Sequence, residues 1–172
     1  NYGVTKHRER VFFIGIRKNC INKKVIDKAQ FGKWFPFPVN EKYHNATIKY
    51  NWSKKAPFGN KPKKPVDIPY ELCVESCLVP NNKIDVIPNA NEIFTLYKPM
   101  TELNKIAEGE TNRPSFKRLH RYKYSPTACY GNNEVHLHPY LNRRLSAREA
   151  LRIQGVPDEY VLPAKISLSK KF

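Results

Sequence analysis

The chain has 172 residues, with 31 Lys and Arg against 15 Asp and Glu, for a formal net charge of +16 at neutral pH. That length holds one ordinary core or a main domain with a small subdomain, and the cationic excess predicts a polyanionic partner, because like charges otherwise repel one another across the surface. No apolar run approaches a membrane span, no secretory signal opens the chain, and four unevenly spaced cysteines exclude a disulfide framework, which leaves a reducing cytoplasm as the expected compartment.

A membrane-surface partner would require a basic amphipathic helix, whereas the lysines here sit among prolines and asparagines, so nucleic acid is the expected polyanion. The opening stretch NYGVTKHRERVFFIGIR ends in a run, Val11 to Ile16, that is nearly all aromatic and β-branched and predicts a strand. Extending its alternation backwards sets Arg8 and Arg10 on one face with Phe12 and Ile14. Two guanidiniums at a strand mouth either pair with acidic groups or line a cleft. With no initiator Met and a core strand so near the start, the sequence is expected to be part of a longer protein.

NKKVIDKAQ has helical spacing. From Phe31 to about Asn112 the chain is irregular and rich in proline, and ATIKYNW, KIDVI and EIFTLY read as short strands within it. This predicts a small, twisted, mostly antiparallel sheet with long loops. The lysines of SKKAPFGNKPKKP form either an electrostatic footing or simply a solvated face. No internal repeat is visible.

From Arg113 to Phe172 the signals are denser. RRLSAREALRIQGVPDEY predicts a helix with a capping box, in which the Ser146 hydroxyl accepts from the backbone of Glu149 while the Glu149 carboxylate reaches back. The helix runs through Arg152 with Leu151 facing the core, Gly155 supplies a left-handed stop, and Pro157 prevents resumption. Cys73, Cys77 and Cys129 with His136 and His138 can be drawn as a zinc site, but the CxxxC spacing is poor and no second pair answers it, so small buried thiols and no metal are expected.

The combination carries a resemblance. The opening stretch resembles the eighth conserved motif of the DNA (cytosine-5)-methyltransferases, roughly Asp/Asn-Tyr-Gly-Val-Pro-Gln-x-Arg-x-Arg before a hydrophobic strand. RRLSAREALRIQGVPDEY resembles the ninth, and SPTACYGNNEVHLHP upstream of it is similar to the family's Ser-Pro-Thr element and the following His-Pro. Between the two motifs the family places its target recognition domain. The resemblance implies an α+β chain: a small, twisted, mostly antiparallel β recognition domain with long loops, over 31–140, flanked by a strand in 1–30 and a short helix in 141–172 that belong to the α/β catalytic domain.

It also implies roles. Arg10 is expected to hydrogen-bond a flipped cytosine and Arg8 to shape its pocket. Thr5 stands where Pro is usual and Lys6 where Gln is usual, so Lys6 replaces a neutral DNA contact with a phosphate charge pair. Thr127 falls at a DNA-supporting position, Tyr130, Asn132 and Asn133 in a recognition loop, and Arg118, His120, Arg121 and Lys123 in a second one; Arg143 is placed near DNA. Lysine and arginine contacts to phosphate give affinity, while Arg and Asn read base edges.

The partner implied is double-stranded DNA in a bacterial cytoplasm, within a restriction-modification pair. Methylation of an extruded cytosine needs a cysteine thiolate, a glutamate and S-adenosylmethionine. No Pro-Cys nucleophile dipeptide, Glu-Asn-Val or Gly-rich cofactor turn occurs. The expectation is therefore a piece that binds no S-adenosylmethionine and is inactive without the missing catalytic part of the same enzyme. Two alternatives stay open: a subunit of a split methyltransferase, and a stand-alone DNA-binding module.

Overall fold

The computed structural model describes residues 3–8, 11–24, 27, 38–96, 98–127 and 135–168. Regular structure is sparse in them. The short helices α1 (Ala46–Lys49), α2 (Met100–Leu103) and α3 (Ala147–Ile153) accompany a two-stranded ladder. In that ladder β1 (Lys117–Arg118) pairs in parallel with β2 (His136–Leu137), matching Lys117 to His136 and Arg118 to Leu137. Isolated bridges are antiparallel at Ala56–Glu108, Ile93–Ser146 and Leu137–Arg144 and parallel at Lys6–Ser125.

Several expected strands are absent. Residues 11–17 carry no strand or bridge, and Phe13 is 96% exposed. A strand exists only where its backbone groups are shared with a neighbour, and no ladder reaches this run. ATIKYNW begins as α1 because Asn45 turns the chain through a left-handed conformation and only Ala46 of the next four residues is buried, a pattern alternation cannot produce. KIDVI is a series of turns opened by the 3₁₀ turn Asn81–Lys83 between Pro80 and Pro88. EIFTLY keeps a single bridge, at Ile93. NKKVIDKAQ is helical at 23, 24 and 27, its other residues from 25 to 30 lying outside the described ones.

The helix read from the ninth-motif stretch forms as predicted. The Ser146 hydroxyl accepts from the Glu149 amide at 3.3 Å, and the Ser146 amide donates to Glu149 Oε2 at 2.8 Å. Gly155 ends it at φ +79°, where a Cβ would come within 3.3 Å of Val4. Ile153 packs with Val74, Cys77, Leu78, Leu119 and Leu145, and Ala147 and Leu151 pack with Leu162. Leu103, Ile106, Val135 and Leu137 form a further cluster, and Tyr43, Ala46 and Leu72 another. Helix α3 thus joins two of the four apolar clusters.

Polar groups tie the clusters together. The fully buried Glu149 carboxylate also accepts from the Val79 amide at 3.1 Å and takes a two-pronged pair from Arg143, at 2.7 and 2.8 Å. Burial opposes its ionisation, but Arg143 and the Ser146 amide hold its pKa below the usual carboxylate range. Next to it Arg148, also fully buried, donates to the carbonyls of Pro88, Pro157 and Tyr160. The buried side chain of Asn89 clasps the Leu162 backbone on both its amide and its carbonyl.

His138 lies against this carboxylate with Nε2 3.7 Å from Glu149 Oε1, and its Nδ1 accepts from the Leu141 amide at 3.2 Å. Burial pushes its pKa down to about 3, against the opposing pull of Glu149. The native imidazole is therefore neutral while the unfolded chain binds a proton at an ordinary pKa of about 6.5. Stability is held above that pH and lost as the pH falls from about 6.5 towards 3, at up to about 1.4 kcal/mol per pH unit for this proton. Urea unfolding between pH 7 and pH 4 is expected to show this loss, and His138→Asn, whose amide oxygen replaces the Nδ1 acceptor, is expected to reduce the slope by close to one proton.

Candidate nucleic-acid interface

The opening motif is anchored by contacts its sequence alone does not show. Gly3 has φ +86°, and a Cβ there would come within 2.8 Å of the Tyr43 ring, so glycine is required on both counts. Thr5, where the resembled motif has Pro, is buried; its hydroxyl donates to the Glu71 carbonyl at 2.9 Å and accepts from the Cys77 thiol at 3.2 Å. The departure thus has an interior hydrogen-bond pair behind it.

Residues 5–7 then run alongside the Ser-Pro-Thr element. The Ser125 amide donates to the Thr5 carbonyl at 2.8 Å, the His7 amide donates to the Ser125 carbonyl at 3.3 Å, and the Thr127 hydroxyl donates to the His7 carbonyl at 3.2 Å. Two sequence stretches some 120 positions apart share one short seam. On one side of it opens a cavity of about 560 Å³ lined by Lys6, His7, the exposed Arg8, His44, Asn45, Thr47 and Gln154 among others. On the other lies a cavity of about 390 Å³ lined by His7, Thr47, Trp52, Thr111, Lys123, Tyr124 and the Ser125–Thr127 segment. The two share His7 and Thr47, and among the described residues no carboxylate lines either.

Of the site residues expected from the sequence, Lys6, Arg8, Lys123 and Thr127 come together around this seam. Lys123 sits half-buried, its pKa lowered by burial and by the nearby Lys55 ammonium. Arg10, Tyr130, Asn132 and Asn133 lie outside the described residues.

Four others expected as DNA contacts have partners within the protein. Arg118 is fully buried: Nε donates to the Ile106 carbonyl, Nη1 to those of His138 and Leu141, and Nη2 to that of Leu103 and to Asn142 Oδ1. Its guanidinium also lies 4.0 Å from the Phe58 ring centroid, and burial pulls its pKa down only to about 10, so it stays charged with no donor left for a phosphate. Arg121 pairs with the fully buried Glu108 through Nε at 2.8 Å and Nη2 at 2.7 Å and covers the Tyr140 ring. Arg143 is spent on Glu149. His120 is buried; its Nδ1 accepts from the Tyr122 amide at 3.0 Å, and burial lowers its pKa.

The Lys-rich loop is held down through backbone hydrogen bonds of Ala56 with Glu108, through Phe58 beneath Arg118 and through the Asn60 carbonyl, which accepts from Arg121. Lys54, Lys55, Lys61, Lys63 and Lys64 stay exposed. Cys73 and Cys77 are buried thiols; burial pushes Cys73 up to about 11 and raises Cys77 as well, so neither is a thiolate nucleophile. Among the described residues no group of three His, Cys, Asp or Glu is placed to hold a metal ion, and no helix is long and apolar enough to cross a membrane.

Sequence reasoning missed His44, Asn45, Thr47, Trp52, Tyr124 and Gln154 as cavity residues. Only Tyr124 and Gln154 carried a signal, since each adjoins a recognised motif.

The comparisons with known proteins agree with the motifs. A family model described as C-5 cytosine-specific DNA methylase matches residues 1–172. Among curated relatives, the type II methyltransferase M.NmeDI of Neisseria meningitidis serogroup C is 37% identical over 99% of this chain, and the type II methyltransferase M.FnuDI of Fusobacterium nucleatum is 28% identical over 93%. The chain spans 38% and 43% of the lengths of these two relatives. No solved structure gives a significant match.

The geometry of Arg118 predicts a stability role. Arg118→Met leaves four buried carbonyls without their donor and is expected to cost about 3 kcal/mol or more in urea unfolding. Arg118→Lys is expected to recover only part of that loss, because an ammonium cannot span the same planar fork.

Proposed function

The chain belongs to the C-5 cytosine-specific DNA methylases, and from that we propose that it supplies the DNA-facing wall of such an enzyme, holding the duplex and one side of the pocket for an extruded cytosine. The observation that carries the reading is the seam between residues 5–7 and Ser125–Thr127, with the exposed Arg8 at a cavity beside it whose described lining holds no carboxylate. A cytosine can be methylated at carbon 5 only after leaving the stack, so the enzyme must brace both the nucleotide and the gapped duplex.

In this reading Lys6, Arg8 and Lys123 contact phosphates and fix register, and the exposed lysines of 54–64 add a diffuse field that draws in the duplex. The seam fixes the backbone of residues 5–7, just before Arg8, through hydrogen bonds. Arg10 completes the base contact. The compartment is the bacterial cytoplasm, and the wider role is modification of DNA alongside a restriction partner.

S-adenosylmethionine, the methyl donor the family implies, does not fit the cavities described here. Its sulfonium and amino groups are cationic, and among the described residues the linings offer Lys6, Arg8, His7 and Lys123 with no carboxylate. The buried, high-pKa thiols of Cys73 and Cys77 likewise lack the character of the attacking group. Cofactor and nucleophile are therefore assigned to the remainder of the enzyme, consistent with the chain's 38% share of the M.NmeDI length.

Duplex-binding titrations of this chain against salt test the reading. Binding is expected to weaken steeply with salt, and Lys6→Ala, Arg8→Ala and Lys123→Ala are each expected to lessen the log–log slope by about 0.9. Binding that ignores salt, or that prefers RNA to duplex DNA, would overturn it.

A further inference from the structure

The second cavity has features that a phosphate footing does not need. Tyr124 and Trp52 lie ring against ring, centroids 4.5 Å apart at 39°, and His7 follows with its centroid 6.3 Å from that of Tyr124. All three line the cavity. The Trp52 ring is fixed from behind, by packing on the Tyr43, Ala46 and Leu72 cluster and by its indole N–H donating to the Ala46 carbonyl at 3.2 Å. A rigid aromatic face loses little entropy when something stacks on it.

Around that face the polar groups are of one kind. Lys123 is the charged residue of the lining, with Lys55 close enough to lower its pKa, and the hydroxyls of Thr47 and Thr111 are neutral hydrogen-bonding groups. An aromatic platform beside cations and hydroxyls, with no carboxylate among the described lining residues, fits an unstacked base and its phosphate. The cavity also adjoins the one beside Arg8, sharing His7 and Thr47 with it. Whatever occupies it therefore sits next to the nucleotide held there. When one base leaves a duplex, its former partner and its strand neighbour each lose a stacking face.

We propose that the cavity of Trp52, Tyr124, His7 and Lys123 is a second nucleobase site, which stacks a base unpaired by extrusion of the target and so holds the duplex open. The proposal rests on the duplex-binding reading above. It assigns to these residues a base contact distinct from the Arg8 pocket, indifferent to base identity because every base has a π face. Two bases have the required chemistry: the partner left opposite the gap, and the neighbour on the extruded strand.

Equilibrium binding of this chain to three DNAs tests it: a fully paired duplex, one with a single mismatched pair, and one with two adjacent unpaired bases in one strand. One of the two unpaired DNAs is expected to bind about tenfold tighter than the paired duplex. Preference for the mismatch assigns the partner base, and preference for the adjacent pair assigns the strand neighbour. Tyr124→Ala is expected to abolish the gain, measured relative to the same variant's paired-duplex affinity, and Tyr124→Phe to keep it. If Tyr124→Ala fails to fold, His7→Ala, at an exposed position, serves instead and is expected to diminish the gain. No gain for either unpaired DNA, or a gain that survives the Tyr124 and His7 substitutions, overturns the proposal. Failure to bind even the paired duplex overturns instead the reading on which it rests.

Discussion

Buried guanidiniums are what this structure depends on. With only a short ladder and brief helices among the described residues, many interior backbone groups have no partner in regular structure, and each unpaired group would be costly. Arg118 and Arg148 answer that need directly. Between them they donate to the carbonyls of Leu103, Ile106, His138, Leu141, Pro88, Pro157 and Tyr160, and so join loops that no sheet connects. The buried carboxylates work in the opposite sense. Glu149 accepts from the amides of Val79 and Ser146, Glu108 accepts from that of Arg121, and each is neutralised by a two-pronged arginine.

This changes how the +16 charge divides. Arginines 118, 121, 143 and 148 belong to the interior, where their charge offsets carboxylates or polarises carbonyls. Among the described residues the charge that remains outward is mainly lysine, the loop 54–64 included, with Arg8 exposed beside the seam. Lysine gives affinity without sequence preference and arginine reads base edges, so the described surface is better suited to gripping DNA than to reading it.

The sequence made some features legible and concealed others for identifiable reasons. The α3 helix, its capping box and its stop at Gly155 could be read because each rests on neighbours a few residues apart. The seam was legible only in part. Both stretches stood out as motifs, but their pairing is a contact across some 120 positions that no local pattern records. The arginines misled because a guanidinium offers the same five donors to a phosphate as to a set of carbonyls, and burial, which decides between them, is set by distant residues such as Phe58 and Leu103. Val11 to Ile16 misled for a related reason, since strand propensity describes a surface suited to a sheet and supplies no neighbour.

If the interior arginines are scaffold, their donors keep the same partners when DNA binds. Nitrogen-15 NMR of the arginine side chains during a duplex titration observes this directly. The Nε–H signals of Arg118 and Arg121, bonded to the Ile106 carbonyl and to Glu108, are predicted to exchange slowly with solvent and to keep their positions while the Arg8 signal moves. Arg118 and Arg121 signals that shift on addition of duplex while that of Arg8 stays still would contradict the account.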